Sequence, residues 1–206
     1  MKKDYIEDIK DAERRLFTSP VEVRARDGSE YFTGRAVVFN SRTDLGWFSE
    51  EIKAGAFSEV MKDDVRALFN HDPDVVLGRT KSGTMTVKVS DEGVDYEVKY
   101  NPADPDHVRV MEKVKRGDVS QSSFAFTVKE AKWETKEGKD HRVITKLERW
   151  YDVAPVTYPA YQDTSVGKRS LDSIKKEHES EVQKQNERAA KLRQIKMEID
   201  LVTLGI

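Results

Sequence analysis

The chain has 206 residues, 36 Lys and Arg against 38 Asp and Glu, and no cysteine. That balance, -2 at pH 7, gives no support to general polyanion binding, which needs a basic face, and the missing cysteines exclude a disulfide scaffold, a thiol nucleophile and a cysteine-ligated metal centre. With 37% apolar and 36% charged residues and a mean hydropathy of -0.73, the length suits one domain plus a solvated appendage.

The opening MKKDYIEDIKDAERR has no apolar h-region, so no secretory signal is expected, and residues 1–15 read as a flexible arm. Strand-like runs follow. Pro20–Arg26 (PVEVRAR) and Tyr31–Phe39 (YFTGRAVVF) flank the hairpin signal Asp27-Gly28. The acidic turn SEE precedes a predicted helix over 52–62, with Ala54, Phe57, Val60 and Met61 on one face. Val65-Arg66-Ala67-Leu68-Phe69 is a short apolar run ending at Asn70, His71 and the turn residues Asp72-Pro73.

Met85–Val89 and Val94–Tyr100 flank SDEG and read as a second hairpin. Pro105–Lys115 is the stronger helix: Val108, Met111 and Val114 recur at helical spacing, Pro105 suits a first turn and Gly117 a stop. Phe124–Val128, Arg142–Leu147 and Trp150–Val156 complete the strands, with AKWETKEGKDH expected as a polar loop between the first two. The body is thus expected to be a β-barrel or sandwich with a few packed helices, mainly β with helices (α+β).

All aromatics and prolines lie at or before Tyr161, which confines the core to the body. Beyond it, Leu171, Ile174, Val182, Ala189, Leu192, Ile195, Ile199 and Val202 recur at intervals of three, four, seven or eight among alternating charges. One long helix over about 170–203 is predicted, with partner docking as its alternative to a merely solvated arm. The boundaries are therefore 1–15 arm, 16–165 body and 166–206 tail. No stretch approaches the ~18 apolar residues of a membrane span, so neither a membrane nor a nucleic acid is expected as a partner.

His71, His107, His141 and His178 are scattered, and His71-Asp72-Pro73-Asp74 is a weak ligand cluster, so no metal is expected. There is no phosphate-binding glycine loop. Serine chemistry is favoured instead: a hydroxyl becomes nucleophilic when a base takes its proton and a third group holds the base. His71 at a strand end, Ser122 and Ser123 leading into FAFTV, and Asp152 inside an apolar strand supply those three parts.

Ala67–Thr80 (ALFNHDPDVVLGRT) resembles the "LFNHD…LGRT" signature of tailed-phage prohead (capsid maturation) serine proteases. Gly117–Phe126 (GDVSQSSFAF) and Tyr151–Thr164 (YDVAPVTYPAYQDT) resemble two further segments of that family, and FTGRAVVFN and EEIKAGAFSEVM match its early pattern. The resemblance covers about residues 17–165 and implies an assemblin-like β-barrel surrounded by a few helices, carrying a long C-terminal helical tail. It implies a serine endopeptidase with Ser123 as nucleophile, His71 as general base and Asp152 as the orienting acid.

Ser122 is a rival nucleophile, because Gln121-Ser122 replaces the family's Gly-Met. Glu148 is a rival acid and His141 a lesser one, and Gly78-Arg79 is one place for oxyanion donors. The triad needs no cofactor. Implied partners are the major capsid protein precursor with its scaffold region, and the chain itself through autoproteolysis. The implied setting is the assembling procapsid in the host cytoplasm. The competing class is a non-catalytic capsid-assembly or scaffold-adaptor protein that keeps the fold.

Overall fold

The computed structural model describes residues 5–17, 20–158 and 165–204. In chain order the strands are β1 (Glu13–Phe17), β2 (Glu22–Arg26), β3 (Ser29–Val38), β4 (Thr43–Asp44), β5 (Phe48–Ile52), β6 (Arg66–Leu68), β7 (Val76–Arg79), β8 (Met85–Val89), β9 (Gly93–Lys99), β10 (Gln121–Lys136) and β11 (Lys139–Val156). The helices are α1 (Pro105–Lys115) and α2 (Ser165–Leu204). Two compact units divide at Ser170 and Leu171.

The first unit holds two sheets. One runs β1-β10-β11-β5-β4, with β6 and β7 attached beside β11; the other runs β2-β3-β9-β8. Among the described residues they form no closed barrel, and the sandwich alternative is the better description. Phe32, Val94 and Val98 from the smaller sheet share one core with Phe124, Phe126, Ile144, Trp150 and Val153 from the larger. The mainly β expectation therefore holds, without closure.

The long β10–β11 hairpin is the spine. It turns at Glu137 (φ 56) and Gly138 (φ 76), the left-handed pair that two-residue hairpins require. AKWETKEGKDH is accordingly ladder and turn, not loop. Its alternation places Trp133 inward, stacked on Trp47 at 5.7 Å and tilted on Phe48 at 5.4 Å. Aromatic burial outweighs the polar composition here.

The predicted helix over 52–62 is replaced by β5 and a single 3-10 turn, Ala54–Phe57. Parallel pairing of Phe48–Ile52 with Asp140–Ile144 holds the start of the stretch in the sheet, and beyond it Ala56, Phe57 and Val60 reach the core from turns, a short amphipathic pattern being a weak helix signal. α1 matches its expectation end to end. Asp104 caps it by accepting from the Asp106 amide at 2.9 Å, and Gly117 (φ 80) lies just past its end. Its buried face holds Val110, Met111 and Val114, while Val108 is exposed.

Within the stretch 1–15, read as an arm, the described residues form a 3-10 turn (Tyr5–Asp8) and most of β1, which runs on to Phe17. β1 is charge-rich yet buried because its charges are answered. Arg15 donates from Nε to Glu50 at 2.6 Å and also bonds Glu13, and Arg142 reaches Glu13 and Glu50 at 3.0 Å. Two cations and two carboxylates thereby join β1, β5 and β11. The second unit is the predicted helix; on α2, Leu192, Ile195 and Ile199 expose an apolar row.

Removing one member of a buried charge cluster strands its partner. Arg142→Met should cost about 3–5 kcal/mol in urea unfolding. Arg24→Ala, which breaks an exposed pair with Glu22, should cost under about 1 kcal/mol.

Candidate active site

β6 lies parallel to β11, with Arg66 beside Asp152 and Ala67 beside Val153. The chain leaves Leu68 into a 3-10 turn, Phe69–His71, in which Asn70 (φ 54) and His71 (φ 58) are both left-handed. Two consecutive left-handed residues that are not glycine are costly, and asparagine and histidine are among the side chains that tolerate it. The conformation is anchored: Asn70 Oδ1 accepts from the Thr157 amide at 2.9 Å and from its hydroxyl at 3.2 Å. This bends the imidazole off the strand line and back over β11.

Alternation along β10 separates the two serines. Ser122 and Phe124 face the core between the sheets, where Ser122 Oγ donates to Tyr96 Oη at 3.2 Å. Ser123 and Ala125 face the other way, and Ala125 meets Ile6 and Ala12 in a small second core. Asp152 pairs directly with Ala125, so it shares the face of Ser123. His71 bridges them, its Nε2 at 2.8 Å from Ser123 Oγ and its Nδ1 at 2.9 and 3.0 Å from the Asp152 oxygens.

Hydroxyl, imidazole and carboxylate are thus in contact order and buried. An ionised carboxylate only accepts, so Nδ1 carries the proton and Nε2 is left to accept from Ser123. Burial is the largest influence on Asp152 and acts upward. It is outweighed by the charge and hydrogen bond of His71, a hydrogen bond from the Tyr5 hydroxyl and the charge of Arg14, so the carboxyl stays below its usual range. The arrangement can move a proton from Ser123 to His71 and hold the resulting imidazolium.

The rivals lie elsewhere. Ser122 is turned from His71 by strand phase. Glu148 is exposed and its charge acts on Lys129. His141 is at the opposite end of β11, its Nδ1 at 2.8 Å from Ser49 Oγ. Burial pushes the His107 imidazole down, and its ring packs edge-on against Phe32. His178 is on α2. In the HDPD segment, Asp72 Oδ1 accepts from the Asp74 amide, capping the turn. Arg79 is an ion-pair partner of Asp64, which it holds down to about 2, and its amide donates to Thr84 Oγ1. Gly78-Arg79 therefore reads as scaffold.

Three contributors escape a reading of the sequence. Asn70 sits inside the FNHD segment, but its clamp on Thr157 has no local signal. Tyr96 is seated because its opposite number is Gly34: a Cβ there would lie 2.6 Å from the Tyr96 ring and hydroxyl. The glycine of FTGRA thus makes room for the phenol that engages Ser122. Tyr5 gives no signal at all.

A family model described as caudovirus prohead serine protease matches residues 19–177. The chain belongs to this family. No curated protein and no solved structure gives a significant match. The prohead protease match spans His71, Ser123 and Asp152 together with their supporting strands. The Tyr5 turn and β1 precede it, and most of α2 follows it.

A carboxyl whose folded value lies below its unfolded one, about 3.9 for aspartate, stabilises above that pH. The contribution is lost as pH falls through the folded value. Unfolding free energy should therefore drop below about pH 4 in the parent chain, and Asp152→Asn should remove part of that drop in urea titrations at successive pH values.

Proposed function

We propose that the chain is a serine endopeptidase that cleaves the major capsid protein precursor at its scaffold region, and itself, during phage prohead maturation. The observation that carries this is the unbroken path Ser123–His71–Asp152, at 2.8 and 2.9 Å, in a prohead protease family member. Ser123 Oγ attacks the scissile carbonyl while His71 Nε2 accepts its proton. The proton then passes to the leaving amine, and water repeats the cycle on the acyl-enzyme. Asp152 holds the Nδ1–H tautomer and stabilises the imidazolium. No step needs a metal or cofactor.

The protease domain in this reading spans residues 16–165, an open relative of the assemblin-like barrel. The helical tail, 166–206, docks on scaffold or shell, and its exposed row Leu192, Ile195 and Ile199 supplies the contact. The site of action is the procapsid interior in the host cytoplasm. No helix among the described residues is long and apolar enough to cross a membrane. A non-catalytic adaptor has no use for a buried aspartate held ionised beside a histidine, since burying charge is costly.

Co-expression with a capsid precursor carrying its scaffold, followed by mass-spectrometric mapping of new termini, tests the reading. Ser123→Ala and His71→Ala should each abolish cleavage with folding intact. Asp152→Asn should slow it about 10⁴-fold, by analogy with better-known triads, and Ser122→Ala should retain most of it. Unchanged cleavage in Ser123→Ala would overturn the assignment. Deletion after residue 166 should reduce incorporation into particles, and unchanged incorporation would refute tail docking.

A further inference from the structure

The segment before residue 19 lies outside the matched family model, yet it is built into the triad. β1 pairs with β10 directly over the serines, Leu16 opposite Ser123 and Phe17 opposite Ser122. Its far end is locked by the buried cluster of Arg15, Glu50 and Arg142. The preceding turn buries Ile6 on Ala125, the residue paired with Asp152. From that turn the Tyr5 hydroxyl donates to Asp152 Oδ2, and the Arg14 guanidinium sits 6.0 Å over the Tyr5 ring.

Tyr5 also walls a cleft of about 360 Å³ that reaches Trp150 and Tyr151, the neighbours of Asp152. Asp152 itself has no exposed surface. The phenol thus stands between the lining of that cleft and the Oδ2 it bonds. From these contacts we infer that Tyr5 is a positioning residue of the active site. It fixes the carboxylate plane that aims His71 at Ser123, and it draws off part of the carboxylate's charge.

Among the described residues, the groups that face Asp152 are His71 from the 3-10 turn after β6, Tyr5 from the N-terminal turn and Arg14 from β1, with Arg66 beside it on β6, its guanidinium held by Asp64. Of these, Tyr5 alone can lose its hydrogen bond through a substitution that keeps its shape. Without the phenol hydroxyl the carboxylate loses a donor to its charged form. It should then protonate at higher pH, and it should hold the imidazolium proton more tightly, moving the acid limb of the rate upward. The second effect rests on the triad reading above; the first does not.

The test uses the full chain as parent, Tyr5→Phe, Ser123→Ala and Asp152→Asn. Serine reactivity is measured with a fluorophosphonate probe across pH, with the labelled residue located by mass spectrometry. Protonation of Asp152 is followed by its carboxyl-carbon resonance, assigned by its loss in Asp152→Asn. Thermal unfolding provides the control for folding. Tyr5→Phe should label Ser123 roughly tenfold more slowly, the scale of one charge-assisted hydrogen bond acting at second hand. Its acid limb and its Asp152 titration should both move to higher pH, with the unfolding temperature little changed.

An Asp152 titration unmoved by Tyr5→Phe would overturn the inference whatever the labelling shows. A moved titration with unaltered labelling rate and pH profile would overturn the positioning role. If the titration moves but no form labels at Ser123, the triad reading falls and the catalytic part of this one with it, while the contact stands demonstrated.

Discussion

Antiparallel pairing of β10 with β11 is the constraint on which the rest of the body depends. It supplies two adjacent strands of the larger sheet, and its inward side chains Phe124, Phe126, Ile144, Leu147, Trp150 and Val153 enter the common core. Its register sets Ser123 beside Ala154 and Ala125 beside Asp152. Side chains alternate strictly in a strand, so this register puts a hydroxyl and a carboxylate on one face and Ser122 on the other. A slip of one residue would turn apolar core residues to the outside and remove the site in the same movement. Fold and site are two consequences of one pairing.

What the hairpin lacks is delivered from elsewhere by less regular means. The imidazole arrives on a short parallel strand and a left-handed turn, and the turn is held by Asn70 on the end of β11. The phenol arrives from the N-terminal turn, held by β1 and the four buried charges that join it to β5 and β11. Such charges do not stabilise by themselves, because desolvation offsets attraction. They do penalise any arrangement in which β1 is absent or shifted, since each would leave ions buried without partners. Precision in the placement of a carboxylate is a reasonable use of that penalty.

Much of this was legible in the sequence where the signal is local. Asp104-Pro105 and Gly117 bracket α1 correctly, and Asp27-Gly28 marks a real turn, with φ of 51 and 72. His71, Ser123 and Asp152 were legible through the segments that carry the family resemblance, and the structure brings them within hydrogen-bond reach. The rest depends on long-range pairing. Residues 52–62 carry a helical pattern but leave the sheet at Ile52 into a single 3-10 turn and further turns, and AKWETKEGKDH is polar yet laddered because Trp133 finds Trp47 and Phe48. Glu13-Arg14-Arg15 reads as part of an arm until Glu50 and Arg142 answer its charges. Choosing between Ser122 and Ser123 needs only strand phase, but the phase is fixed by a partner strand about thirty residues away.

The order in which these groups occur along the chain has a consequence for synthesis. The phenol of Tyr5 and the imidazole of His71 come first in the polypeptide, the hydroxyl follows well after them, and the carboxylate comes last, on a strand that ends at Val156. A ribosome-bound chain therefore holds base without acid until nearly the whole body has emerged. Every N-terminal fragment released early is equally incomplete. A chain of this layout completes its array of hydroxyl, imidazole and carboxylate only with its last strand.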